Sequence, residues 1–197
     1  MQLSVTGRHI DIGEAMREHV DVSLGAIFEK YVGDAEDVSV IVSRDGGLFH
    51  ARINAHVGRG IKLVAENKAE KPYAAFDGAA DRLSKRVRRH KRRLRDHHAN
   101  ATAPIDHVAA TQYVFASEDT NAQETDGDEG AAGQPAIIAE MAHDIPSLSV
   151  SEAVMRLDLA ELPAMMFRNA AHGGFNMVYR RSDGHIGWID PEGNSAS

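Results

Sequence analysis

Nine cations stand within fourteen positions of this chain: Arg82, Lys85, Arg86, Arg88, Arg89, Lys91, Arg92, Arg93 and Arg95. No acid falls between the first and the last of them. Arginine dominates the set, and its planar fork matches phosphate oxygens better than the point charge of lysine does. A solvated helix normally interleaves Glu with Lys to form i,i+4 pairs, whereas here like charges are left to repel one another. A polyanion would complete such a segment. Nucleic acid is the partner this pattern favours; an anionic membrane, an acidic protein or a plain solvated face are the alternatives.

Little else in the chain suggests chemistry. His90, His97, His98 and His107 fall close together in sequence, but His97 and His98 are adjacent and point apart, and there is no cysteine to complete a zinc site. Glu140 and Asp144 lack the setting of an acid/base pair. Gly46-Gly47 and Gly58-Arg59-Gly60 read as hairpin turns, because neither opens a helix as a phosphate-binding loop does. The expectation is a non-enzymatic binding protein with no metal, no cofactor and no small-molecule substrate.

The cations need a helix to align them. From Pro72 to His98, Phe76, Ala80, Leu83, Val87 and Leu94 recur at spacings of three, four and seven, which makes one apolar stripe. Pro72 suits the first turn, where its missing N–H costs nothing. A helix of about 26 residues is roughly 39 Å long, with one side for a core and the other for the cationic ladder. That core is expected from the preceding residues. Gln2–Thr6 alternates as a strand. A helix opens at Gly13-Glu14, with Met16, Val20, Leu24, Ile27, Phe28 and Tyr31 on one face. Val38, Val40 and Val42 mark a second strand, and Ala51, Ile53, Ala55 and Val57 a third, joined through Gly46-Gly47. Ile61, Leu63 and Ala65 mark a fourth. The order β-α-β-β-β-α predicts a two-layer α+β domain over residues 1–98, of the double-stranded-RNA-binding-domain type. Arg8, Arg59 and Lys62 stand where they too could touch phosphate.

Charge is unevenly shared. Residues 1–98 hold 18 Lys and Arg against 14 Asp and Glu, whereas residues 99–197 hold 4 against 15. The net charge of −7 therefore hides a basic half, as a polyanion-binding protein would have. Residues 99–135 lose all periodicity and carry Glu118, Asp119, Glu124, Asp126, Asp128 and Glu129, which predicts a flexible acidic linker. Tyr113-Val114-Phe115 is an apolar island within it that fits no element. The absence of cysteine, of an N-terminal apolar run and of any long apolar segment points to a cytoplasmic protein that does not enter membranes.

Order returns over residues 136–197. Ile137–Ile145 reads as a strand, and Ser149-Val150-Ser151-Glu152 as a capping box that opens a short helix. Pro163–Arg168 reads as a second strand. Phe175, Met177 and Tyr179 begin a hairpin that turns at Asp183-Gly184 and returns through Ile186–Ile189. So small an α+β domain cannot cover all its apolar side chains and strand edges alone. Its closure is expected from a second copy, through Phe167, Phe175, Met177, Val178, Tyr179, Ile186 and Trp188.

The β-α-β-β-β-α unit ending in the cationic helix, together with Tyr179-Arg180-Arg181, Asp183-Gly184, Gly187 and Ile189, resembles the long form of the bacterial ribosome hibernation promoting factor family. Trp188 departs from it, standing where an aliphatic residue is usual. The resemblance implies that residues 1–98 bind the small ribosomal subunit and its rRNA in the tRNA and mRNA path. The nine helix cations, with Arg8, Arg59 and Lys62, would supply the contacts. It further implies that residues 136–197 pair with their copy on a second ribosome, holding both inactive under stress or in stationary phase. A structured-RNA-binding regulator that never pairs ribosomes, or a protein-binding modulator of an alternative sigma factor, are the alternatives.

Overall fold

The computed structural model describes residues 2–33, 35–58, 60–99, 105–116 and 136–193, and of residues 93–99 the backbone alone. Two sheets organise it. The first has the order β1-β2-β3-β4, from β1 (Gln2–Arg8), β2 (Ala35–Asp45), β3 (Leu48–Val57) and β4 (Ile61–Ala69). β1 runs parallel to β2, as the intervening helix α1 (Glu14–Tyr31) requires, and the other pairs are antiparallel. β2 and β3 meet across Gly46-Gly47, with Asp45 paired to Leu48. Gly46 has φ +61°, the left-handed geometry that a two-residue hairpin loop needs.

One face of this sheet is apolar because its residues alternate. Val38, Val40, Val42, Ala51, Ile53, Ala55, Ile61, Leu63 and Ala65 are all buried there. Against them pack α1, through Met16, Val20, Leu24 and Phe28, and α2 (Pro72–Ala99), through Phe76, Ala80, Leu83 and Val87. The apolar stripes expected of both helices are those found; Leu94 lies outside the described side chains. Deleting most of a fully buried ring from such a core, as in Phe76→Ala, costs about 3–5 kcal/mol.

The second sheet has the order β5-β6-β7-β8-β9, from β5 (His107–Phe115), β6 (Ile137–Leu148), β7 (Ala164–Asn169), β8 (Phe175–Arg180) and β9 (Ile186–Ile189). It corrects two expectations. Part of the stretch expected to be linker is a strand: Tyr113-Val114-Phe115 belongs to β5, which pairs antiparallel with β6 from His107 to Phe115. The sheet is therefore five strands wide where four strands were expected. β6 joins β7 only at Ser147 and Leu148, so most of the β5–β6 hairpin projects as a two-stranded ribbon. The acidic stretch 117–135 lies outside the described residues.

Between β6 and β7 runs α3 (Val150–Leu159). Its capping box is as expected: Ser149 Oγ accepts from the Glu152 N–H at 3.3 Å, and Glu152 Oε2 accepts from the Ser149 N–H at 3.2 Å. The helix is apolar on two sides. Ala153 and Leu157 pack on its own sheet with Leu148, Phe167 and Val178. Met155 and Leu159 are buried in the core of the first unit. α3 is therefore sandwiched between the two units, which explains why Arg156 and Asp158 are buried as well.

Candidate nucleic-acid interface

The cations of α2 are fixed by the strand beside them. β4 is the edge of the first sheet, and its outward carbonyls lack a strand partner. Arg82 Nη1 donates to the Glu66 carbonyl at 2.8 Å, and Arg86 Nη1 donates to the Val64 carbonyl at 2.6 Å. Two guanidiniums are thus held on adjacent turns along the sheet edge. Lys85 pairs with Asp81 at 2.7 Å, and Lys91 Nζ lies 5.3 Å from the Tyr31 ring centre. Arg88, Arg89 and Arg92 are exposed. The side chains of Arg93 and Arg95 lie outside the described residues, as does Arg59.

Arg8 and Lys62 do not join this row. Strand register places Arg8 with Ser43, His50 and Lys68 at one end of the sheet's open face, and Lys62 beside His56 at the other. That face is turned away from α2, because α2 covers the apolar one. It is also internally compensated: His50 lies 3.3 Å from Glu66, Arg52 lies 3.9 Å from the same carboxylate, and Lys68 lies 2.6 Å from Asp45. The candidate phosphate-binding cations therefore lie on two faces of the first unit.

The ladder itself meets acids from the far end of the chain. Arg86 Nη2 pairs with Glu161 Oε1. Arg89 Nη1 lies 3.1 Å from Asp158 Oδ2, and His90 Nε2 lies 2.9 Å from the same oxygen. Arg180 Nη2 reaches Asp158 Oδ1 at 3.3 Å from within the second unit. His90 is buried at 6% exposure, so it adds nothing to the outward basic surface. Its position continues the α2 stripe one turn beyond Val87. The Asp158 and Glu161 partners were not legible in composition. The signal that points to them is the pair Met155 and Leu159, a second apolar stripe that α3 does not need for its own sheet.

The hydrogen bond from His90 holds the Asp158 carboxyl at about 2, below its ordinary 3.8; Arg180 and Arg89 add to this, and burial opposes it. Between these two values the unfolded chain binds more protons than the folded one, so stability falls as pH drops from about 4 to 2 and is flat above. The loss is about 2 kcal/mol at the lower end. Thermal unfolding between pH 2 and 5 checks it: Asp158→Asn removes this component of the acid dependence. An unchanged pH profile in the Asp158→Asn chain contradicts it.

The second expected surface also divides. Register in β7, β8 and β9 puts Met166, Phe175, Met177, Tyr179 and Ile189 on the face away from α3. Phe167, Val178, Ile186 and Trp188 lie on the face toward α3. Phe167 and Val178 are fully buried beneath α3, which corrects the expectation that these two meet a second copy; Ile186 is half-buried and packs on the same cluster. Trp188 is half exposed and donates from Nε1 to Asn176 Oδ1 at 2.9 Å. Gly187 lies beneath Tyr179, where an added Cβ would come within 2.4 Å of the ring and force it to shift. Arg181 pairs with Asp183 at 2.9 Å across the β8–β9 turn.

Residues 3–95 match the family model described as Sigma 54 modulation protein / S30EA ribosomal protein. Residues 132–187 match the one described as Sigma 54 modulation/S30EA ribosomal protein C terminus. The ribosome hibernation promotion factor of Bradyrhizobium diazoefficiens is 36% identical over 100% of this chain and 97% of its own. That of Rhizobium meliloti is 36% identical over 96% of this chain and 97% of its own. The ribosome hibernation promoting factor of Escherichia coli is 31% identical over 49% of this chain and 100% of its own.

Proposed function

This chain belongs to the Sigma 54 modulation protein / S30EA ribosomal protein family, as a long-form ribosome hibernation promoting factor, and on that premise we propose that it fills the tRNA and mRNA path of the small ribosomal subunit and joins two inactive ribosomes. Residues 1–98 are the ribosome-binding unit, and α2 lies along rRNA phosphates. Recognition follows backbone shape and charge, since arginines in a row offer little to distinguish one base edge from another. The protein acts by occupancy in the cytoplasm, without turnover. The second unit carries the contact between copies on its apolar outer face.

The observation that carries this reading is the α2 ladder: cations with no interleaved acid, two of them anchored on the β4 edge. Among the described residues, no helix is long and apolar enough to cross a membrane, so a membrane span does not account for the charge. Sucrose-gradient profiles of stationary-phase cells with and without the gene test the proposal. Deletion removes the ribosome-dimer peak. A peak that survives deletion leaves an RNA-binding regulator or a modulator of an alternative sigma factor in its place.

A further inference from the structure

The end of α3 offers α2 the same chemistry as an RNA backbone. A carboxylate presents two oxygens to a guanidinium, as a phosphate does. Glu161 occupies Arg86 in this way, and Asp158 occupies Arg89 and His90. Arg156 Nη1 donates to the Gly60 carbonyl at 3.2 Å alongside them, and Met155 and Leu159 seat the helix in the first core.

The backbone at Glu161 gives a second, independent sign. α3 ends in a Schellman turn: the Leu162 N–H donates to the Leu157 carbonyl at 3.1 Å and the Glu161 N–H to the Asp158 carbonyl at 3.4 Å. Glu161 holds the left-handed position of that turn, at φ +55°. Glycine is the ordinary residue there, and a side chain is strained. This chain keeps a glutamate in the strained position, and its carboxylate lands on Arg86.

We propose that the acidic end of α3 is an internal competitor for the phosphate-binding face of α2, docked in the free protein and displaced when RNA binds. The proposal rests on the reading of α2 as the rRNA-binding helix. Arg88 and Arg92 stay exposed beside the docked carboxylates, so RNA lands on them first. Arg86 becomes available only when α3 leaves, and Arg89, exposed but paired with Asp158, loses its competing carboxylate in the same step. Apparent affinity is then reduced by the fraction of chains that are open, and about 10% open gives a tenfold reduction.

The test uses the full-length chain, isolated small ribosomal subunits as the probe, and small-angle scattering of the free protein. Glu161→Gly removes one carboxylate and relieves the strained position, so the fold is kept. Asp158→Asn with Glu161→Gly removes both. The double variant is expected to expand in scattering and to bind subunits about fivefold to tenfold more tightly. Glu161→Gly is expected to fall between it and the unaltered chain. If Asp158→Asn unfolds the second unit by stranding Arg180, Glu161→Gly alone decides. Affinities equal to the unaltered chain overturn the competitor. Weaker binding does so too, since the carboxylates would then be positioning the arginines. Arg88→Glu with Arg92→Glu tests the underlying reading separately: unchanged binding in that variant removes the rRNA role of α2 itself.

Discussion

Arg88→Glu with Arg92→Glu is expected to lower affinity for the small ribosomal subunit by at least about a hundredfold at physiological salt. Each reversal replaces a phosphate contact with a repulsion. For about six contacts the log–log dependence of affinity on salt has a slope of about −4 to −5. Losing two contacts makes the slope shallower by about two. The fold is unaffected, because both side chains are exposed and changes at such surface sites stay within about 0.5 kcal/mol. Arg86 and Arg89 are poorer choices: reversing them also breaks pairs with Glu161 and Asp158, which confuses lost binding with a disturbed contact between units. Filter binding across a salt series, with thermal unfolding as the control, gives the answer. Binding within threefold of the unaltered chain sinks the assignment.

Met166→Glu with Phe175→Ala is expected to turn a dimer into a monomer. The full-length chain should sediment at micromolar concentration with twice its 21.4 kDa mass, and this variant with the single mass. Met166, Phe175 and Ile189 are 48%, 39% and 46% exposed, and with Met177 and Tyr179 they form one apolar sheet face. A two-fold axis through that face sets the same strands against each other. A buried charge without a partner then opposes association. The variant should still silence single ribosomes and no longer pair them. Phe167→Ala is the instructive contrast: it opens a cavity under α3 and costs about 3–5 kcal/mol of folding, which mimics a dimer defect without touching the interface. An unaltered chain that sediments as a monomer refutes the assignment of this face.

The first unit was legible in the sequence because its signals are local. The α2 stripe repeats every three or four residues, β3 alternates along its length, and the turns between strands carry their own glycines. Helix α3 was legible for the same reason, through Ser149 and Glu152. Most of what was not legible depends on partners far apart in the chain. β5 joins the Tyr113-Val114-Phe115 island to a run of His, Val, Ala, Thr and Gln without a clear period, and it becomes a strand only by pairing with β6 across the 117–135 stretch. The surface of β8 was misjudged for another reason. Phe175, Met177 and Tyr179 alternate with Asn176, Val178 and Arg180, but β7 and β9 have large apolar residues on both faces. Alternation gives two sides without saying which one α3 covers. The Arg86–Glu161 pair bridges 75 residues and leaves no trace in any window.

The hairpin pairing changes what the acidic stretch is for. The Ala116 N–H donates to the Ala136 carbonyl at 2.9 Å, so the chain leaves the sheet and returns to it at one point. The connection between α2 and β5 is only residues 100–106, which spans at most about 25 Å. The maximum reach between the units is set there, and the length of the acidic stretch does not enter it. Doubling a loop costs only about 0.6 kcal/mol of closure entropy. The site between Ala116 and Ala136 is thus a cargo port: a fluorescent domain with neighbouring termini can be spliced in there without lengthening the tether.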